Sequence, residues 1–173
     1  MKQVDWSVFF QRLDALTNGE RASLKREAGT MLHQADGHAM RVFYQCLPYS
    51  VPQWQEGRVF GAACLHCLWD RDENRRQPME QIFYQLGRDQ DVSESIGHRL
   101  AVLLDLSWDE DGFLLTKLSR LVRLVKSKGY AVDCQQLLED LLYWNGEQQI
   151  IQRKWARALY MKPEGLQDEP KGE

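Results

Sequence analysis

The residues with the densest reactive chemistry form one short motif, Cys64-Leu65-His66-Cys67. Thiolates and imidazoles bind zinc, but zinc takes four ligands, usually as two well-spaced pairs. Only one Cys-x-x-Cys occurs, and Cys46, His33, His38 and His98 form no second pair in sequence to complete a site. The motif also sits in an apolar run with Phe60, Ala62, Ala63, Leu65 and Leu68, not in a turn that could wrap a metal. Free cysteine is among the most buried residue types, so Cys64 and Cys67 read as core. No metal and no cofactor are expected.

Other catalytic patterns are weaker still. No Gly-x-Ser-x-Gly elbow presents a nucleophile. The stretch Gly57-Arg58-Val59-Phe60-Gly61 lacks the Gly-Lys-Ser/Thr ending of a phosphate loop. Asp105, Asp109, Glu110 and Asp111 could gather a divalent cation, yet acids favour a helix N-terminus for electrostatic reasons alone. The expectation is a protein without an enzymatic centre.

Basic residues carry the stronger pattern. Residues 112–132 hold Lys117, Arg120, Arg123, Lys126 and Lys128 and no acid. Leu114, Leu118, Leu121, Val122 and Val125 form an apolar stripe at helical spacing, which turns Arg120 and Arg123 outward with Lys117 and Lys126 beside them. Such a row can track roughly three to four phosphates, with an affinity that falls as salt rises. Residues 148–162 repeat the design, with Arg153, Lys154 and Arg157 opposite Ile151, Trp155, Ala158 and Leu159. A smaller group is Arg21, Lys25 and Arg26, opposite Leu24 and Ala28. The net charge of −3 speaks against a nucleic-acid binder, but its distribution is uneven. The tail holds Lys162 and Lys171 against Glu164, Asp168, Glu169 and Glu173, and the rest of the chain is near neutral. Of the tryptophans, Trp6, Trp108, Trp144 and Trp155 read as core; Trp54 could stack on a base, but packing is the simpler role.

The elements that must position these residues are helices. Apolar residues recur at three- and four-residue spacing almost throughout, and alternation with period two is rare. The spacing predicts about nine helices, over residues 4–15, 18–32, 36–46, 52–69, 79–86, 93–106, 108–128, 135–144 and 147–161. Thr17 and Ser107 look like capping-box starts, Asp133 like an N-cap and Gly129 like a C-cap. Residues 70–77 read as an exposed charged loop. The fold class is therefore all-α, as two small packed bundles. Residues 1–161 form a single domain whose lobes would divide near residues 90–110, and 162–173 form a disordered acidic tail. No apolar run approaches the roughly 20 residues of a membrane span, and the N-terminus lacks a signal-peptide core. A cytoplasmic protein with reduced thiols and no membrane partner is expected.

Several runs together resemble the CasB family, the small subunit of the type I-E CRISPR surveillance complex Cascade. They are residues 16–22 (Leu-Thr-Asn-Gly-Glu-Arg-Ala) with Leu24-Lys25-Arg26, then Phe43-Tyr44, and Ser95-Ile96-Gly97-His98-Arg99-Leu100-Ala101. They continue with residues 118–124 (Leu-Ser-Arg-Leu-Val-Arg-Leu), 140–144 (Asp-Leu-Leu-Tyr-Trp) and 152–157 (Gln-Arg-Lys-Trp-Ala-Arg), so order and spacing hold over about residues 16–160. The resemblance implies two small helical bundles and a homodimer inside the complex. It also implies contact with other Cascade subunits, the guide RNA, the target DNA and the displaced strand. It maps a nucleic-acid role onto Lys25, Arg26, Arg120, Arg123, Arg153, Lys154 and Arg157, and it adds Arg99. Sequence would then be read by the guide's base pairing, with the protein supplying backbone contacts. Two readings compete: a helical protein–protein adaptor that uses its basic faces on acidic partners, and a metal or redox sensor built on Cys64, His66 and Cys67.

Overall fold

Side-chain capping starts four of the nine α-helices among the described residues. In the computed structural model, which describes residues 3–162, Asp5 caps α1 (Trp6–Asp14) by accepting the Ser7 amide at 3.0 Å. Thr17 and Glu20 form the expected capping box on α2 (Asn18–Arg26), each side chain accepting the other's backbone N–H. Asp36 caps α3 (Gly37–Cys46) by accepting the Ala39 amide, and Asp133 caps α8 (Cys134–Leu142) by accepting the amides of Gln135 and Gln136. The expected acidic tail, from residue 163 onward, lies outside the described residues.

Several boundaries differ from the spacing-based expectation. The second helix stops at Arg26, because the chain turns at Gly29 with φ +93° and runs into a 3-10 turn over Leu32–Gln34. Pro52 precedes a 3-10 turn, Gln53–Gln55, and α4 (Glu56–His66) starts after it. The charged loop ends in a short strand β1 (Arg76–Gln77), which pairs in parallel with β2 (Ala131–Val132). Ser107 opens no helix. Asp109 instead accepts the amides of Asp111 and Gly112, and Gly112, at φ +75°, sets the start of α7 (Phe113–Ser127). A Cβ at Gly112 would lie 2.7 Å from the Met31 side chain, so the turn and the packing both demand glycine. The remaining helices are α5 (Met79–Leu86), α6 (Ser93–Leu104) and α9 (Ile150–Tyr160). The described residues thus hold nine α-helices, and the all-α reading stands.

Helix α4 is the axis of the fold. Every residue from Arg58 to His66 is buried, so the helix is covered around its whole circumference, the mark of an internal helix. It packs against α2, α7 and α8, while α5 lies along α9 and α6 touches both α7 and α9. Buried apolar side chains from α1 to α9 join one cluster, with Trp144 and Trp155 edge to face at 5.0 Å. Trp6, Trp144 and Trp155 are core, as expected, and Trp108 is half-buried. Trp54 is the exception: it is 67% exposed, because the 3-10 turn lifts it off the α4 axis.

The core reading of the cysteine motif holds. All four cysteines are buried and unpaired. Burial pushes the Cys67 thiol up to about 11 and the Cys134 thiol to about 12, which keeps them protonated and unreactive. His66 donates from Nε2 to Asp14 Oδ1 at 2.8 Å, and Arg21 reaches the same carboxylate at 3.0 Å. Arg21 also donates to the carbonyls of Leu13 and Trp69. It is therefore a buried tie between α1, α2 and the end of α4, not part of a surface patch as its sequence neighbours suggested.

Burial lowers His66 below its ordinary 6.5, and the Asp14 hydrogen bond only partly offsets that. The unfolded chain then takes up this proton before the folded one. Stability is full above pH 6.5 and falls as acidification proceeds toward the folded-state value. An NMR titration of the His66 ring should place its midpoint below 6.5, and a midpoint above that would contradict the burial argument.

Candidate nucleic-acid interface

On α7 the apolar stripe faces the core and the cations face out. Leu114, Leu118, Leu121, Val122 and Val125 are buried, while Lys117, Arg120, Arg123 and Lys126 are exposed. These four cations recur every third residue, so adjacent ones are helix neighbours, and the row climbs about 14 Å while winding about half-way round the helix. No carboxylate lies on α7 to neutralise it.

The turn after α2 brings a second set of cations to this row. Gly29 approaches α7 so closely that a Cβ there would meet Ser119 Oγ at 2.6 Å. Arg123 donates to the Ala28 carbonyl at 3.4 Å across the same junction. Lys25 and Lys126 consequently line one shallow depression, together with Arg75, the acids Asp70 and Glu73, and Trp69 and Tyr130. Arg26 is exposed next to Lys25 and lies within the electrostatic reach of Asp36. Arg75 carries no helical pattern and was not foreseen; it pairs with Glu73 at 3.0 Å. Lys25 of α2 and Lys126 of α7 therefore meet at one depression with Arg123 at the junction, which neither helix's sequence could reveal.

The α9 cations form a separate group. Arg153 and Arg157 are exposed one helical turn apart. Lys154 is half-buried and committed: its Nζ lies 2.8 Å from the buried Asp140 carboxylate and 3.8 Å from Glu80. It acts first as a clamp between α8, α9 and α5. Arg88 joins this group from the end of α5, its guanidinium 3.3 Å from the centre of the Tyr84 ring. The i, i+4 pairing of Tyr84 and Arg88 was a legible signal that the acid-free criterion passed over. Arg99 is exposed on α6, and no hydrogen bond or ion pair among the described residues links it to either group.

Among the described residues, no cluster of three or more His, Cys, Asp or Glu is placed to hold a metal ion, and no helix is long and apolar enough to cross a membrane. Comparison with known proteins supplies the family. The model of CRISPR-associated protein Cse2 matches residues 20–160, most of the chain and nearly all of the helical body. The chain belongs to the Cse2 family. A curated Cse2 protein of Thermus thermophilus is 28% identical over 124 residues, covering 67% of this chain and 68% of the relative. The crystal structure of M. ruber CasB is similar with a TM-score of 0.67 and 25% identity, over 88% of this chain and 90% of that one. A Cse2-family crystal structure from Thermus thermophilus shares the fold at TM-score 0.69 and 23% identity, over 88% and 93% of the two chains. A chain of a CRISPR RNA-guided surveillance complex does so at TM-score 0.65 and 22% identity, over 87% and 95%. The resemblance to CasB read from the sequence is thus borne out. The Cse2 match takes in all ten candidate cations, from Lys25 to Arg157.

Proposed function

We propose that this chain is a non-catalytic, nucleic-acid-holding subunit of a cytoplasmic CRISPR RNA-guided surveillance complex. Membership of the Cse2 family and the shared fold with a surveillance-complex chain support the setting. The reading rests on the α2–α7 junction, where Lys25 and Lys126 line one depression beside Arg123, with the exposed Arg26, Lys117 and Arg120 on the same two helices and no acid on α7. Phosphates are its natural ligand, because arginine and lysine bind them through charge and directed N–H donors regardless of base sequence. Arg153 and Arg157 form a second contact zone, and Arg99 a lone outlying one.

In such an assembly the guide–target heteroduplex is about as stable as the duplex it replaces. A few backbone contacts then decide whether the opened state persists. This subunit's share is to hold the guide–target region or the displaced strand, working as a homodimer beside the other subunits. A titration of labelled single-stranded DNA at rising salt tests this. Binding by the six cations predicts a log–log slope of roughly −4. A salt-independent signal, or none at low salt in the assembled complex, would overturn the phosphate reading.

A further inference from the structure

The depression at the α2–α7 junction has a volume of about 290 Å³ and carries charges of both signs. Lys25 and Lys126 are exposed on it, and Arg75 joins them from the charged loop. Asp70 and Glu73 line it too. Glu73 is committed to Arg75, which it meets through both carboxylate oxygens at 3.0 and 3.4 Å. Asp70 differs: it is exposed, and among the described residues its carboxylate has no hydrogen bond and no ion pair. Trp69 and Tyr130 supply aromatic walls. Trp69 is only 7% exposed, and the Arg76 guanidinium lies 5.7 Å from its ring centre, so this wall is held in place. At Gly129 a Cβ would meet no atom within 4 Å, so the side next to Tyr130 is open.

A phosphate alone would be drawn by the cations and repelled by the free Asp70 carboxylate. A basic peptide would meet the opposite conflict. A nucleotide resolves it, because its anionic phosphates and its neutral, N–H-bearing base edge are separate parts. We propose that this depression takes one unpaired base of a bound single strand. The base lies against Trp69 and Tyr130, the flanking phosphates pair with Lys25 and Lys126, and Asp70 accepts from an exocyclic amino group. The volume is at the small end of ligand pockets, which suits one base and not a stretch of strand. Cytosine is favoured over thymine, whose O4 carbonyl would face the Asp70 oxygens. This site rests on the nucleic-acid reading above and adds to it a preference among bases, which phosphate contacts do not give.

The test titrates the full chain, at low salt and slightly alkaline pH, with labelled oligo-dC and oligo-dT of about twelve nucleotides. Both carry the same phosphates, so the phosphate contribution cancels in the ratio of their dissociation constants. Oligo-dC should bind about fivefold tighter or more, the effect of one base-edge hydrogen bond. Asp70→Ala should bring the two constants to within about twofold of each other, with the fold intact because that side chain is exposed and unpaired. Equal binding of both oligonucleotides by the unmodified chain overturns the base pocket, while a steep salt dependence of both would leave the phosphate reading standing. A dC preference that survives in Asp70→Ala overturns the pocket as well, because the base is then read elsewhere. No binding of either oligonucleotide also overturns it, whereas the phosphate reading falls only if the assembled complex fails to bind too.

Discussion

With Arg120 and Arg123 both changed to Ala, the R-loop held by the reconstituted complex is expected to lose about 10- to 100-fold in lifetime. Each arginine is exposed at the centre of the α7 row, and each would give up one charge-assisted phosphate contact, worth about 1 kcal/mol net. The salt slope should flatten by roughly 1.4, the value for two lost contacts to a single strand. Stability should stay within about 0.5 kcal/mol, since neither side chain is buried and Arg123 makes only a long bond to the Ala28 carbonyl. Lifetime and melting temperature measured on the same preparation separate loss of contact from loss of fold. An unchanged lifetime would remove α7 from the interface.

The second large effect concerns the fold behind the α9 cations. Asp140 is 1% exposed and accepts from Lys154 Nζ at 2.8 Å, Trp155 Nε1 at 3.1 Å and Gln136 Nε2 at 3.3 Å. Asp140→Ala leaves the indole N–H unsatisfied in the core and leaves Lys154 with Glu80 alone, 3.8 Å away. Removing one partner from such a buried, charged network costs about 2–4 kcal/mol. For a chain of this size the melting temperature should drop by roughly 5–15 °C, while exposed Arg153→Ala should leave it within a degree or two. A thermal melt of the two variants decides this. A small shift for Asp140→Ala would mean that Lys154 is not a structural clamp and belongs with the surface cations after all.

Much of this was legible because helices announce themselves locally. Thr17-x-x-Glu20 and Asp133 encode their own caps, and the α7 stripe follows from spacing alone. What failed was whatever depended on a distant partner. Arg21 looked like a surface cation next to Lys25, yet its guanidinium is claimed by the Trp69 carbonyl, 48 residues away. Lys154 looked equivalent to Arg157 until Asp140 was placed beneath it. The β1–β2 pair is two residues long, too short to show alternation, and its partners lie in a charged loop and after a helix. The joining of α2 to α7 hangs on the turn at Gly29, whose packing against Ser119 no periodicity encodes.

The most direct test of the central claim is site-specific photocrosslinking from α7. A photoreactive phenylalanine analogue in place of Lys117 leaves Arg120, Arg123 and Lys126 intact, and the subunit is assembled into the complex with guide RNA and target DNA. The account predicts that irradiation joins this position to a nucleic-acid strand, in a yield that falls as salt rises. Crosslinks to protein subunits alone, unaffected by salt or by the presence of target, would contradict it and make the basic face a docking surface for protein.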